Sequence, residues 1–347
     1  MASQNNAPLP DGLEIGGYRI VRKIASGGFS IVYLATDEHG EKFAIKEYLP
    51  SSLVKRGPGE HIPVIASENL TTYRNGLKCF FEEGRALAKI FHPNIVRVVN
   101  FFRGNETVYM VMAYEQGRSL QELVLRNRGK PDKVIIAERH VRAVFNQVMN
   151  GLREVHANRM LHMDLKPANI YLRLDGTPLL LDFGAARQIL GDEGPKLFPM
   201  YTPGFAATEL YRKSQPLGPW TDIYSLGASM YGCMTGTPPQ PADQRELNDK
   251  MPALLQALVG PYSQNLVDTV AWCLKLNPLE RPQSVFALQR ALRKGDWRDQ
   301  QLARVTPISR WFDTLTLKLN RSREGLFGKG RASRAVTKDN TSVSAAG

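Results

Sequence analysis

Short apolar runs separated by turn residues occupy the first third of the chain, and longer stretches with apolar residues at helical spacing follow. The short runs predict strands at 18–24, 31–36, 42–47, 96–102 and 107–113, with a helix at 79–90 between the third and fourth strands. The longer stretches predict helices at 119–127, 138–158, 222–235, 251–259, 265–276 and 282–292. The pattern therefore predicts a small, strand-rich lobe followed by a larger, mostly helical one.

The most informative segment lies early in the helical half, where Leu-His-Met-Asp-Leu-Lys-Pro-Ala-Asn at 161–169 precedes Leu-Asp-Phe-Gly at 181–184. Asp164 offers a carboxylate that can accept a hydroxyl proton, and Asn169 and Asp182 offer oxygens for a metal ion. Lys166 adds a positive charge between them. These are the groups that phosphoryl transfer needs, and their order and spacing resemble the signature of the protein kinase family.

Upstream residues extend the resemblance. Phe-Ala-Ile-Lys at 43–46 resembles the kinase strand whose lysine contacts the α- and β-phosphates of ATP, which implies that role for Lys46. The resemblance also implies a glutamate on the next helix that aligns this lysine. We assign that role to Glu83 rather than Glu82, for which an exposed helix face is the simpler interpretation.

The segment 24–33 resembles the glycine-rich loop of kinases, although Ala25 and Ser30 replace the first and third glycines. Gly27 keeps the middle position, where the backbone must approach phosphate closely, and Gly28 follows it. A plain hairpin with Gly-Gly at its turn is the alternative. We expect a stiffer loop than usual, with weaker ATP binding.

Three downstream residues resemble architectural positions of the family. Glu209, in an Ala-Thr-Glu sequence where kinases have Ala-Pro-Glu, should form a buried ion pair with Arg281. Asp222 should accept hydrogen bonds from the backbone of the catalytic loop.

The resemblance covers residues 18–295 and implies an α+β, bilobal kinase fold with a small antiparallel N-lobe sheet, one N-lobe helix and a mostly helical C-lobe. It divides the chain into a polar N-terminal tail, an N-lobe, a hinge, a C-lobe and a basic C-terminal tail, at 1–17, 18–113, 113–117, 118–295 and 296–347. ATP is then expected to contact Ala25, Gly27, Gly28, Val32, Ala44, Lys46, Met112, Ala113, Glu115 and Tyr171.

The same resemblance implies the chemistry. Mg²⁺, for which Mn²⁺ is a substitute, would bind Asn169 and Asp182, while Asp164 accepts the proton of the acceptor hydroxyl and Lys166 contacts the γ-phosphate. Lys166 together with Thr202 resembles serine/threonine rather than tyrosine kinases. Small-molecule kinases of similar fold are an alternative, but they usually have a histidine-rich catalytic loop and lack the Thr-Pro-Gly…Glu segment.

Met163 is a departure from the family, which usually has an arginine that pairs with a phosphate on the activation loop. Residues 185–200 contain no Ser, Thr or Tyr, so we predict activity without activation-loop phosphorylation. A pseudokinase scaffold is the alternative from another class, favoured by Ala25, Ser30, Met163 and Thr208. The retained polar residues of the cleft argue against it.

Composition is consistent with a kinase that acts in the cytoplasm. The 347 residues are 43% hydrophobic, which allows a sizeable core, and no apolar run is long enough for a membrane span. The first ten residues do not resemble a secretory signal. Cys79, Cys233 and Cys273 are far apart in sequence and fit a reducing compartment.

Two regions remain for partners. The segment 48–76 is longer than kinases usually have there, and either orders the helix of Glu83, offers a docking surface, or is a tolerated loop. The tail 296–347 combines basic residues with apolar ones at helical spacing, which fits peripheral membrane attachment, docking, or a final helix with a solvated end. The net charge of +12 favours acidic protein substrates. No nucleic-acid module is recognised, so nucleic-acid binding is not expected.

Overall fold

A computed structural model describes residues 4–128, 134–183, 187–188, 201–212 and 215–293. Its strands are β1 Glu14–Ile15, β2 Tyr18–Gly27, β3 Ser30–Thr36, β4 Lys42–Tyr48, β5 Val54–Lys55, β6 Val64–Ile65, β7 Val98–Gly104, β8 Thr107–Ala113, β9 Gly117–Ser119, β10 Met160–Leu161, β11 Ile170–Arg173, β12 Pro178–Leu180 and β13 Arg187–Gln188. Its α-helices are α1 Leu70–Leu87, α2 Leu120–Asn127, α3 Glu138–Ala157, α4 Pro219–Thr235, α5 Ala242–Leu247, α6 Met251–Gln256, α7 Gln264–Cys273 and α8 Val285–Arg293.

The N-lobe is an antiparallel sheet in the order β1-β2-β3-β4-β8-β7, with α1 packed on β7 and β8. Paired residues of neighbouring strands point to the same face, so the registers Val32↔Lys46 and Ala44↔Met112 place these four side chains on one face. The opposite face of the sheet carries Tyr33 and the other residues that alternate with these four along the strands. The predicted antiparallel N-lobe and helical C-lobe are confirmed.

A buried polar network lies on the face of the sheet opposite to Lys46. The Glu47 carboxylate, which is fully buried, receives hydrogen bonds from Tyr33 Oη at 2.7 Å and Tyr109 Oη at 3.0 Å. Arg56 Nη1 lies 2.5 Å from Glu47 Oε1, and both side chains are 0% exposed. Burying this carboxylate is tolerable because three partners satisfy it, and its arginine comes from the segment 48–76.

The helix that carries Glu83 is longer than predicted. The apolar pattern predicted 79–90, whereas α1 begins at Leu70 and ends at Leu87. The additional turns pack through Tyr73, whose ring lies 5.5 Å from that of Tyr48 at the end of β4. The segment after Lys46 thus forms the short β5–β6 hairpin and the first turns of α1.

The N-terminal residues pack against the same lobe. Leu9 is 1% exposed, and its amide donates to Tyr33 Oη at 3.1 Å. Ala7 pairs with Arg56 through backbone and side chain, with Ala7 N–H donating to Arg56 O at 3.0 Å. Residues 4–9, part of the segment treated above as a polar tail, therefore lie on the sheet and the segment 48–76.

The C-lobe is built around α4, which is buried along almost its whole length and packs against α3 and α7. The predicted Glu209–Arg281 ion pair is confirmed: Arg281 Nη1 lies 2.8 Å from Glu209 Oε1, and both side chains are 0% exposed. Thr221 Oγ1, in the first turn of α4, also donates to Glu209 at 2.8 Å. The pair joins the end of the activation segment to α4 and to the turn before α8.

Within the described residues, no helix is both long enough and apolar enough to cross a lipid bilayer. The basic tail 296–347 lies outside the described residues, as do the activation-loop residues 184–186 and 189–200.

Candidate active site

One buried carboxylate accepts hydrogen bonds from the backbone of the catalytic loop. Asp222, at 0% exposure in the first turn of α4, accepts hydrogen bonds from the amides of His162 at 2.9 Å and Met163 at 2.8 Å. His156 Nε2 lies 2.7 Å from the same carboxylate. Met163 has a φ of 64°, a left-handed conformation that costs energy for a side chain of this size, and the Asp222 contact stabilises it. The predicted role of Asp222 is confirmed.

The Asp164 carboxylate is the centre of a small polar cluster. Lys166 Nζ lies 2.6 Å from Oδ2, Asn169 Nδ2 donates to Oδ2 at 3.0 Å, and Thr202 Oγ1 donates to Oδ1 at 3.0 Å. Lys166 Nζ also donates to Thr202 Oγ1 at 2.9 Å. Asp164 is therefore fixed in orientation, with a cation beside it.

Asn169 and Asp182 fit the chemistry of a magnesium site. Asn169 Nδ2 donates twice to Asp164, to its backbone oxygen at 2.9 Å and to its carboxylate, so the amide oxygen is the atom left for a cation. Asp182 has a φ of 57°, which follows the chain reversal after β12. Carboxylate and amide oxygens suit Mg²⁺, which binds through few protein ligands together with substrate phosphates. No group of three or more His, Cys, Asp or Glu forms a metal cluster among the described residues.

Lys46 is paired with Asp182 rather than with Glu83. Lys46 Nζ lies 2.5 Å from Asp182 Oδ1, and the lysine is 7% exposed. The charge of Lys46 lowers the pKa of Asp182, and although burial opposes it, the Asp182 charge raises the pKa of Lys46. Both groups therefore stay ionised.

Glu83 points into the same region without reaching Lys46. It is 7% exposed, and its Oε1 has no hydrogen-bond partner among the described residues. Burial, partly offset by the charge of Lys46, raises the pKa of Glu83 to about 8. Glu82, the neighbour that the sequence interpretation set aside, is exposed and lies 3.9 Å from Lys78. The structure thus brings Lys46, Asp182 and Glu83 into one region but makes an ion pair only between the first two.

The residues expected to contact nucleotide lie on β2, β3 and the turn between them, on β4 and β8, on the hinge after β8, and on β11. Ala25 pairs with Val32 across β2 and β3, and Gly27 pairs with Ser30 so that Gly28 and Phe29 form the turn. Met112, near the end of β8, is half-buried beside Ala44. Ala113 N–H donates to Arg97 O at 2.9 Å, so this amide is already occupied.

Tyr171, on β11 of the C-lobe, contacts the hinge. Its hydroxyl donates to Glu115 O at 3.3 Å, and burial raises its pKa to about 12. Arg173, two residues later, forms an ion pair with the Glu115 carboxylate at 2.8 Å. Gly117 permits this close approach, because a Cβ there would lie 2.0 Å from Leu172 O. Both Tyr171 and Arg173 thus fix the hinge against the C-lobe.

Sequence reasoning missed several residues of this site. Thr202 was used only to judge the acceptor class, yet it contacts Asp164 directly. Ser51, after β4, donates to Gly28 O through its amide at 2.8 Å and its hydroxyl at 3.1 Å. Gln4 reaches Gly27 O at 3.2 Å. No local motif marks Ser51 or Gln4, since both act through contacts that only the fold creates.

Comparison with known proteins identifies the family. The model of the protein kinase domain matches residues 18–292. The chain is 27% identical over 278 residues to the serine/threonine-protein kinase Nek5 of Homo sapiens, a match that covers 79% of this chain and 36% of that protein. It is 29% identical over 276 residues to Nek3 of Mus musculus, covering 79% and 49% respectively. The match therefore spans less than half the length of these relatives.

Solved structures agree. The apo form of PpkA-294 superposes with a TM-score of 0.71 at 33% identity, covering 82% of this chain and 99% of that one. The kinase domain of PknI from Mycobacterium tuberculosis gives a TM-score of 0.60 at 22% identity, covering 83% and 99%, which supports the fold alone. With the family model matched over residues 18–292 and with this fold, the chain belongs to the protein kinase family.

Proposed function

We propose that this kinase transfers the γ-phosphate of ATP to Ser and Thr hydroxyls of protein substrates without requiring phosphorylation of its own activation loop. The packing of Met163 carries the second part of the proposal. Met163 is 3% exposed in an apolar cluster with Leu161, Ala206 and Leu210. The activation segment beyond residue 200 is therefore held to the catalytic loop by apolar contact, at the position where an arginine would need a phosphate.

The sequence supports the same proposal, because residues 185–200 contain no hydroxyl side chain. Tyr201 and Thr202 are the next candidates for phosphorylation. Thr202 Oγ1 is already engaged by Asp164 and Lys166, so a phosphate there would place negative charge against a carboxylate.

The roles of the residues follow from their positions. Asp164 orients the acceptor hydroxyl and takes its proton, and Lys166 neutralises charge on the transferred group. Lys46 contacts the α- and β-phosphates once ATP draws it from Asp182. Mg²⁺, or Mn²⁺ in its place, would be held by Asn169 and Asp182 and would neutralise charge on the phosphate oxygens.

The first test is incorporation of γ-phosphate from Mg²⁺-ATP into protein substrate by the wild type and by Asp164→Asn. Asp164→Asn should lose transfer and keep ATP binding. Treatment of the wild type with a phosphatase, checked by mass spectrometry, should leave its initial rate unchanged. Loss of the rate together with loss of a phosphate from Tyr201 or Thr202 would refute independence from phosphorylation.

A pseudokinase scaffold is the second candidate, and the Lys46–Asp182 contact favours it because the lysine occupies a carboxylate that a metal ion would use. The two candidates differ in a simple observation. If neither wild type nor Asp164→Asn transfers phosphate while ATP still raises the melting temperature, the scaffold function is the correct one.

Acidic protein substrates are supported by the net charge of +12 and by a cation on a strand next to the catalytic loop. Arg118 lies on β9, which packs against the turn 167–169 of the catalytic loop. Its Nη1 is buried without a hydrogen-bond partner among the described residues, and burial together with the nearby charge of Arg126 lowers its pKa. The nearby Glu122 carboxylate opposes this lowering only in part, and a guanidinium in this state is stabilised by an incoming carboxylate. Peptides with Asp or Glu beside the acceptor should be preferred over Lys or Arg peptides, and Arg118→Ala should reduce the preference.

For localisation we propose the cytoplasm, with peripheral membrane or partner contact through the basic tail 296–347. The proposal rests on the excess of Lys and Arg in this tail and on the absence of paired cysteines in the sequence. Cell fractionation at low and high salt tests it: a membrane-attached fraction should be released by salt, and a fraction that detergent alone releases would contradict it.

A further inference from the structure

The tip of the glycine-rich loop is held by hydrogen bonds from outside its own hairpin. Three consecutive carbonyl oxygens accept them. Gln4 Nε2 donates to Gly27 O at 3.2 Å, Ser51 N–H and Oγ donate to Gly28 O at 2.8 and 3.1 Å, and Leu49 N–H donates to Phe29 O at 2.8 Å. All of these donors come from the N-terminal residues or from the segment that follows β4.

Side-chain packing leaves part of this tip uncovered. A Cβ built on Gly27 would have no neighbour within 4 Å, and Phe29 is 39% exposed. The hydrogen bonds are therefore needed to fix where the turn stands relative to the cleft. A hairpin without such contacts would be free to move on the nanosecond timescale of exposed loops.

The donors are themselves anchored. Gln4 Nε2 also donates to Leu49 O at 2.8 Å, so it bridges the loop and the segment after β4. Two residues later, Asn6 Oδ1 accepts from Arg56 N–H at 2.8 Å. Arg56 is 3% exposed, and its guanidinium donates a hydrogen bond to Glu47, the residue next to Lys46. A chain of contacts thus runs from the buried ion pair behind Lys46 to the tip of the loop.

We propose that residues 4–9 and 49–56, here called the loop brace, position the glycine-rich loop over the phosphates of ATP, with Gln4 and Ser51 as the positioning residues. The loop has Ala25 and Ser30 where related loops have glycine. Hydrogen bonds from the brace fix the position of the hairpin, which the sequence of the hairpin alone does not determine. This proposal rests on ATP binding in the cleft, but not on catalytic turnover.

The test compares Gln4→Ala combined with Ser51→Ala against the wild type, using titration calorimetry with ATP and with adenosine. Adenosine occupies the base pocket and has no phosphates, so a brace that acts on the loop should affect ATP alone. Because the two side-chain hydrogen bonds to the loop, from Gln4 to Gly27 O and from Ser51 to Gly28 O, are removed, ATP affinity should fall roughly 3- to 30-fold, with adenosine affinity unchanged. In turnover, the KM for ATP should rise more than kcat falls.

Two further variants keep the result interpretable. Ser52→Ala removes a hydroxyl from the exposed neighbour of Ser51 and should behave as wild type. Gln4→Glu keeps the size of the side chain, cannot donate to Gly27 O, and should weaken ATP binding like Gln4→Ala. Amide exchange at 27–30 should accelerate in the double variant and not in Ser52→Ala.

Two results would overturn the proposal. Equal loss of ATP and adenosine affinity would indicate general distortion and overturn the brace. Unchanged affinity for both ligands, with unchanged amide exchange, would overturn it as well. A wild type that binds ATP but transfers no phosphate would contradict the proposed function while leaving this comparison valid, since binding is the quantity measured.

Discussion

Glu83 lies in an environment that opposes its ordinary ionisation. Buried and without a partner at Oε1, it has a pKa raised to about 8, whereas an unfolded glutamate titrates near 4.5. The folded protein therefore holds a proton that the unfolded chain releases between these values. Its contribution to stability is fully present below pH 4.5 and is lost as pH rises toward 8.

Glu83→Gln should remove this pH dependence. Between pH 5 and 8, the stability of the wild type should fall relative to the variant by up to about 1.4 kcal/mol per pH unit. Urea unfolding at several pH values without nucleotide measures it. Glu82→Gln, on the exposed side of the same turn, is the control and should leave the pH profile of the wild type unchanged. A pH-independent difference between wild type and Glu83→Gln would show that Glu83 is already ionised at pH 5.

Thr202 should matter to turnover through its contact with Asp164. Thr202→Val removes the donor to Oδ1 and leaves a half-buried acceptor less satisfied, so kcat should fall roughly tenfold or more. Thr202→Ser keeps the hydroxyl and should recover most of the rate. The KM for ATP should change little in both variants. A rate lost equally in the Val and Ser variants would show that the hydroxyl contact to Asp164 does not account for the effect.

Helix α1 owes its position to a close contact with β4. A Cβ added at Gly76 would lie 1.8 Å from Tyr48 Oη, in a region packed by Tyr73 and Phe80. Gly76→Ala should therefore destabilise the protein by about 1–3 kcal/mol despite the better helix propensity of alanine. Thermal or urea unfolding measures this cost.

Gly84→Ala in the same helix is the matched control. Its added Cβ would meet Met110 Cε at 3.0 Å, the end of a flexible side chain that can move aside. The cost should be clearly smaller than at Gly76, and combining Gly76→Ala with Tyr48→Phe should recover part of the loss. Equal effects at the two glycines would mean that α1 does not pack on Tyr48 as described.

On the scale of the whole molecule, Glu209 and Arg281 join parts of the C-lobe that are distant in sequence. Arg281→Met leaves the Glu209 carboxylate buried without its cation and should cost about 3–5 kcal/mol, measured by urea unfolding. Adding Glu209→Gln should cost less than the sum of the two single changes, because the unpaired charge is then gone. Strictly additive costs would show that the two side chains do not interact.

The catalytic loop and the lobe arrangement could be predicted from the sequence, because the polar residues that define them lie at short, fixed spacings along the chain. Asp164, Asn169 and Asp182 belong to this class. The burial of Leu9 within a polar, proline-containing segment could not be predicted, since one apolar residue gives no periodicity. Nor could the partner of Lys46, because the distance from Lys46 to Glu83 depends on how α1 packs on the sheet.

In the contact between Lys46 and Asp182, the lysine ammonium group competes with a divalent ion for the Asp182 carboxylate. The ammonium group must leave the carboxylate before the carboxylate can serve as a ligand, and phosphate oxygens are the natural destination for the displaced charge. Metal and nucleotide are therefore expected to assist each other, and thermodynamic reciprocity requires that each raise the affinity of the other by the same factor. Without nucleotide, we expect this lysine to make the cleft a weak metal site, so that the cation should bind together with ATP rather than before it.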